Sequence, residues 1–337
     1  MADLTVKWAG LTLKSPIIVG SCNLTTDPIK VKEMEQAGVG TVVFKSLFEE
    51  QIQLESLQLE NELSQYNERH SEMVKIFPNL DHAGPEEHLH KISQVRKLVN
   101  IPLIASLNAL HREMWIEWAR KLQDVGADAL ELNFYYIPRD FNVDGATVER
   151  QQIELLKDVK KVVSIPVLVK LSPYYSNILN VVQKFTEAGA DGVILFNRLF
   201  QPDIDIEEQR NIYPYNLSTS GDQKLALRFT ALIHGKLNTS LTSATGIHTW
   251  QDAVKMLLAG ADAFQIVSTL YRNGIQQITE INNGILRWME INEFKTIDEF
   301  RGKLSQKNQK DPYAYLRAQY IDILMSSGDI FKQNMPI

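Results

Sequence analysis

Apolar residues in this chain gather in short runs that alternate with longer amphipathic stretches. Four segments nearly repeat one phrase: EQAGVGTVVFKS (35–46), QDVGADALELNF (123–134), TEAGADGVILFN (186–197) and LLAGADAFQIVS (257–268). In each, a helical stretch ends around Gly38, Gly126, Gly189 or Gly260, and an apolar run of strand length follows. Glycine adopts the left-handed conformation that closes a helix, which explains its place there. A second phrase lies between these: SPIIVGSCN (15–23), IPLIASLN (101–108), IPVLVKLS (165–172) and TSLTSATG (239–246). Pro102 and Pro166 head two of these runs, where a missing N–H is best tolerated.

Together the phrases predict eight strands, near 16–21, 40–45, 101–106, 128–133, 165–171, 191–196, 239–244 and 263–267. Helices are predicted between and after them, near 28–37, 86–99, 111–124, 146–162, 176–188, 222–236, 250–259 and 274–290. In 153–163, Ile153, Leu156, Val159 and Val163 share one face, with lysines opposite. Nearly all-apolar strands alternating with helices require a parallel sheet covered on both faces. Eight such units argue for an α/β fold closed into a (β/α)8 TIM barrel. The alternative, an open doubly wound sheet, would place a glycine-rich phosphate loop after the first strand, and SCNLTTD is not one. Residues 1–290 are expected to form this single barrel, with 291–337 as a C-terminal helical extension packed on it. Two linkers, 47–85 and 199–221, follow the second and sixth strands and are expected to overhang the barrel mouth as lid or substrate contacts.

Composition narrows the function. Hydrophobic residues at 44% and charged residues at 23% describe an ordinary globular chain of enzyme size and exclude wholesale disorder. A formal net charge of −6 gives no bulk attraction for nucleic acid or anionic membrane. The lone Cys22 makes neither an internal disulfide nor a thiolate zinc site. The start shows no basic head before a long apolar core, and no run approaches a membrane span. A cytoplasmic protein is expected.

In such a barrel the strand C-termini face the site, and here they carry Ser21, Lys45, Asn108, Asn133, Lys170, Asn197 and Arg198. Two lysines and three asparagines from different strands point to a converging polar site, and no strand end offers a His or Asp pair for a metal. Thr245-Gly246 after strand seven and Ser268-Thr269 after strand eight stand where barrels bind phosphate through backbone N–H groups and hydroxyls. A phosphate with a lysine on strand five fits either a flavin enzyme or a Schiff-base aldolase or isomerase. A barrel that has lost its chemistry and only binds a ligand is a third reading.

At these positions the chain resembles the dihydroorotate dehydrogenase family of FMN barrels. Its members carry a lysine in a T-K-S/T step after strand two, E-L-N-x-S-C-P-N after strand four and V-K-L-x-P after strand five. They carry N-T after strand six, G-x-G-G-I after strand seven and Q-I/L-x-T-A-L after strand eight. This chain reads FKS (Lys45), ELNFYYIP (Asn133), VKLSPYY (Lys170), LFNR (Asn197), SATGI (Gly246) and QIVSTL (Ser268). The resemblance implies FMN as cofactor, with Lys45, Asn133, Lys170 and Asn197 near the flavin ring or substrate, and Gly246 and Ser268 on its phosphate. It also implies hydride transfer between FMN and a CH–CH or C=C substrate such as dihydroorotate or orotate, in pyrimidine biosynthesis.

Four places depart from the family pattern. Tyr136 stands where the active-site Cys or Ser base belongs, Pro138 is not followed by asparagine, Arg198 replaces a Thr or Ser, and the N-S-x-G-x-x-N segment is absent from 47–85. A tyrosine phenol, which ordinarily titrates at about pH 10, is a proton donor rather than a base at neutral pH. Tyr136 is therefore either a donor to a substrate carbon or a packing residue under the long loop. Arg139 or Arg198 is a candidate to hold a substrate carboxylate. A soluble electron acceptor is expected (fumarate, NAD through a partner subunit, or a ferredoxin-like protein), and the barrel is expected to pair as a homodimer.

Overall fold

The computed structural model describes residues 2–52, 85–109, 111–137, 140–311, 313 and 315–325. Eight parallel strands form one closed barrel in chain order. They are β1 (Ile17–Val19), β2 (Thr41–Phe48), β3 (Leu103–Asn108), β4 (Ala129–Asn133), β5 (Val167–Leu171), β6 (Gly192–Leu195), β7 (Ser240–Ala244) and β8 (Ala263–Ile266). Around them lie α1 (Pro28–Gln36), α2 (Pro85–Leu98), α3 (Arg112–Asp124), α4 (Gly145–Val162), α5 (Ile178–Glu187), α6 (Lys224–Ile233), α7 (Trp250–Ala259), α8 (Ser268–Asn273) and α9 (Gln277–Ile291). The repeated apolar runs are the barrel strands, and the expected (β/α)8 TIM barrel is the fold.

The repeated Gly-Ala-Asp step does two jobs. Gly126, Gly189 and Gly260 end their helices at φ of 104°, 97° and 115°, a region open to glycine. The aspartate that follows then ties two strands together. Asp128 N–H donates to Leu103 O at 2.8 Å, while its carboxylate accepts Leu103 N–H at 2.8 Å. Asp191 does the same with Val167, at 2.9 and 2.7 Å, and Asp262 with Leu241, at 2.8 and 2.7 Å. Arg96, Lys160 and Arg301 pair with these carboxylates in turn. Each clamp supplies an acceptor for an N–H at the start of a strand, that of the first residue in β3 and β5 and of the second in β7.

Two hairpins were not anticipated. Val6–Trp8 pairs antiparallel with Leu11–Leu13, and Trp8 is buried with its Nε1 donating to Thr242 Oγ1 at 2.7 Å. This hairpin closes the end of the barrel opposite the strand C-termini. Its strands of three residues are too short to announce themselves by alternation. The second hairpin, Asp203–Asp205 with Arg210–Ile212, projects from the long connection after β6. Of the 47–85 linker, residues 53–84 lie outside the described residues.

Past α9, Ile297 and Phe300 are buried, and the N–H groups of Gly302, Leu304 and Gln306 donate to Leu257 O, Leu258 O and Ala231 O. The only tail helix among the described residues beyond 300 is Ala318–Met325.

The connection 213–223 is drawn down onto the β7–α7 turn by Asp252. Its carboxylate accepts Ser220 Oγ–H at 2.8 Å, Gln223 Nε2–H at 2.6 Å and the His248 and Thr249 N–H groups, both at 3.2 Å. Burial pushes this carboxyl up, but those donors outweigh burial and hold it below the ordinary carboxylate range. Gly246 (φ 78°) lets the connection come close, since a Cβ there would sit 2.4 Å from Gln223 N and 2.9 Å from Thr219 O.

Asp191→Ala should cost about 1–3 kcal/mol in chemical denaturation, the range for a buried N–H left without an acceptor. Asp191→Asn, which keeps an oxygen, should recover most of that. Because the folded Asp252 carboxyl titrates below its unfolded value, its contribution is complete above the unfolded pKa and is lost as pH falls through the folded one. The stability gap between the native protein and Asp252→Asn should therefore be widest near neutral pH and close below about pH 4; a gap that does not depend on pH contradicts the assignment.

Candidate active site

The strand C-termini surround a cavity of about 520 Å³. Ser21, Lys45, Asn133, Lys170 and Asn197 line it, as do Arg198, Thr245, Gly246 and Ser268. Side chains from seven of the eight strand ends thus meet in one space. The register of β2 against β3 shifts between Phe44 and Leu47. Such an irregularity re-aims side chains at a barrel rim, and here both Lys45 and its neighbour Ser46 reach the cavity.

The floor is a connected polar network. Lys170 Nζ donates to Gln265 Oε1 at 2.8 Å and lies 3.6 Å from Glu131 Oε1. Gln265 Nε2 donates to Glu131 Oε2 at 2.7 Å, and Ser106 Oγ donates to Glu131 Oε1 at 3.1 Å. Hydroxyls continue the chain from Ser106 to Ser46 at 2.7 Å and on to Ser21 at 3.0 Å. Glu131 and Ser106 have no exposure, and Lys170 keeps only 11% of its side chain open. Lys45 differs. It makes no hydrogen bond or ion pair among the described residues, and burial, helped by the charge of Lys91, pushes its ammonium pKa down.

On the wall, Asn197 Nδ2 donates to Asn133 Oδ1 at 2.6 Å. Among the described residues that leaves the Asn133 Nδ2 and Asn197 Oδ1 atoms without a partner, as a donor and an acceptor for a ligand. Arg198 pairs with Asp222 at 3.0 Å, whose carboxylate also accepts the Thr219 N–H at 2.6 Å. At the β7 and β8 ends, Thr245 (φ 76°) and Gly246 turn the chain through consecutive left-handed residues. Gly246, Ile247 and Ser268 bring backbone N–H groups without a partner among the described residues to this wall, and Ser268 Oγ accepts Ser218 N–H at 3.0 Å.

Three expected residues fall elsewhere. Thr269 is fully buried, with its hydroxyl donating to His248 O at 3.1 Å, so it braces the turn and does not line the cavity. Asn108 stands behind the wall and holds Asn133 O through its Nδ2 at 2.6 Å. Tyr136 opens onto clefts beside α4 and is absent from the central cavity; Tyr135 lines that cavity instead. The reason is strand alternation carried past the end of β4. Asn133 faces in, Phe134 packs outward against Trp115 and Phe185, Tyr135 faces in again and Tyr136 out. Burial raises the Tyr135 phenol pKa, opposed by the Phe200 N–H beside it. Arg139 lies outside the described residues.

Glu131, Ser46, Ser106 and Gln265 were given no role from the sequence. The signal was available, since each is a polar residue inside an otherwise apolar run that the fold buries on both faces.

A family model described as dihydroorotate dehydrogenase matches residues 3–289. The catalytic subunit of dihydroorotate dehydrogenase B (NAD(+)) from Pyrococcus furiosus is 30% identical over 312 residues, covering 90% of this chain and 99% of that protein. The same-named subunits from Thermoplasma acidophilum (26% over 308 residues, 90% and 99% covered) and Alkaliphilus metalliredigens (27% over 311 residues, 90% and 99% covered) are also similar. With the match running from the N-terminal hairpin to the end of α9, across every strand that builds the cavity, the chain belongs to the dihydroorotate dehydrogenase family.

Proposed function

We propose that the protein is an FMN-dependent oxidoreductase that transfers hydride between the flavin and a CH–CH or C=C bond of a small carboxylate of the dihydroorotate–orotate type, the chemistry of pyrimidine biosynthesis. The observation that carries this reading is the single cavity in which Lys45, Asn133, Lys170, Asn197 and the 245–247/268 turn meet. The residues fit the cofactor. A cavity of about 520 Å³ suits a small-molecule ligand, for which pockets run roughly 300–1,000 Å³. The Gly246, Ile247 and Ser268 N–H groups offer donors to a phosphate, and a nearly buried ammonium at Lys170 suits the oxygen-rich edge of an isoalloxazine. When bound, FMN supplies the two-electron hydride chemistry.

The rest is done by the chain. The Asn133 and Asn197 amides present a donor and an acceptor to the polar edge of a substrate ring. Lys45 supplies an ammonium that has no partner among the described residues, and Arg198, held by Asp222, supplies a second cation to orient a carboxylate. Tyr135 takes the proton-donor role considered for Tyr136. Its phenol faces the cavity and its raised pKa keeps it protonated, which suits donation to the carbon beside the one that takes hydride.

In this reading residues 1–290 are the flavin-binding unit and 291–337 an extension on it, and the enzyme works in the cytoplasm as a homodimer. Among the described residues no helix is long and apolar enough to cross a membrane, and electrons leave to a soluble acceptor. The relatives' names as catalytic subunits of NAD(+) enzymes support a second chain as that route. The cavity also favours this reading over an aldolase, because Lys170 Nζ is tied to Gln265 and paired with Glu131 and does not stand free to attack a carbonyl.

The purified protein should be yellow with an FMN spectrum, and anaerobic dihydroorotate should bleach it; colourless protein that does not take up added FMN overturns the assignment. Tyr135→Phe should slow reoxidation of the reduced flavin by an activated alkene by roughly 10²–10⁴-fold, the usual contribution of a general acid. Tyr136→Phe should change that rate less than about twofold. The opposite ranking would return the donor role to Tyr136.

A further inference from the structure

A carboxylate with no solvent exposure lies directly beneath the cavity. Removing an ion from water costs several kcal/mol, so a buried carboxylate persists only when its lone pairs are met and its charge is balanced. Glu131 meets both conditions. Ser106 and Gln265 donate to it, and Lys170 supplies the opposite charge.

The chemistry of these groups fixes every proton in the network. A carboxylate only accepts and an ammonium only donates. Gln265, set between them, therefore has a single workable orientation, with Nε2 toward Glu131 and Oε1 toward Lys170. Gln265 takes one of the three ammonium protons of Lys170, while Glu131, 3.6 Å away and beyond hydrogen-bond reach, balances the charge, so the ammonium keeps a proton for the cavity that Lys170 lines. On the other side Ser106 has to donate to Glu131, so Ser46 donates to Ser106. Ser21 accepts the Ser46 N–H at 2.7 Å and donates its own proton to Ser46 Oγ. All the hydroxyl protons thus run toward Glu131, and Ser21 keeps one oxygen lone pair for the cavity it lines.

Resting on the flavin reading above, we propose that Glu131 is the positioning and charge-balancing residue of the flavin site. Acting through Gln265 and Lys170, it aims one ammonium proton into the cavity. By offsetting that positive charge, it also limits how strongly the site favours the anionic reduced isoalloxazine over the neutral oxidised one. A flavin held beside Lys170 would then meet a dipole with its positive end toward the cavity, not an isolated cation.

The test is a charge cycle read by the midpoint potential of bound FMN, a quantity that a purely structural support does not move in a set direction. Glu131→Gln should raise the preference for reduced over oxidised FMN at least tenfold, which is about 30 mV upward for a two-electron couple. Lys170→Met, which leaves the carboxylate unbalanced under the ring, should lower it by at least as much. The double variant should return to within about threefold of the native protein, because both charges are gone. Glu131→Met, of similar volume and without an amide to satisfy, is the second variant and should shift upward as Glu131→Gln does. An unchanged or lowered potential in either Glu131 variant, or an unchanged one in Lys170→Met, overturns the proposal. So does loss of FMN from Glu131 variants that remain folded by circular dichroism, which would make Glu131 a structural support. Native protein that binds no FMN removes the flavin reading itself, a distinct result.

Discussion

Closure of eight parallel strands into a cylinder is the constraint on which the rest of this structure depends. A closed barrel has no free edge, so the register of each strand is set by both neighbours at once. Slipping one strand by a single residue would turn its rim residues from the cavity to the helices. Asp128, Asp191 and Asp262 act against such slippage. Each joins the start of one strand to the start of the next through its own N–H and carboxylate. The residues that fix the register lie at one end of the barrel, and the residues that depend on it lie at the other.

At that other end, polarity is organised in depth. Apolar side chains fill the outer faces of the strands, while Ser106, Glu131 and Gln265 place polar atoms inside the cylinder below the cavity. Such groups are tolerated because each has its hydrogen-bond partners, and a half-satisfied set would cost more than an apolar core. The outcome is a rigid floor under Lys170 and a more accessible wall at Lys45, Asn197 and Arg198. The Asp252 clamp, which brings the connection after β6 down beside Gly246 and Ser268, completes the wall. A fold of this kind hosts many chemistries, so the functional argument rests on this gathering of groups and not on the barrel alone.

The chain belongs to the family and departs from its sequence pattern at the rim of the cavity. Where the family pattern has a Cys or Ser after β4, this chain turns through Phe134, Tyr135 and Tyr136, and the alternation of those side chains decides which phenol lines the cavity. Arg198, likewise outside the pattern, is held by Asp222 from the connection after β6. Both differences lie at the rim of the cavity, and neither touches the floor.

The sequence by itself determined the strands, the helices between them and the order in which they close. Those follow from local causes: apolar runs, amphipathic spacing and glycines that end helices before Asp128, Asp191 and Asp262. It also determined most of the rim, because a barrel brings the residues after each strand to one place. What the tertiary structure alone decided is how those residues engage one another. The Lys170–Gln265 and Gln265–Glu131 bonds join positions 95 and 134 residues apart, and no periodicity encodes such a pairing. The withdrawal of Thr269 into the protein was settled in the same way, by its bond to His248 O, whereas the inward turn of Tyr135 and the outward turn of Tyr136 follow from alternation carried past the end of β4 once that strand is placed.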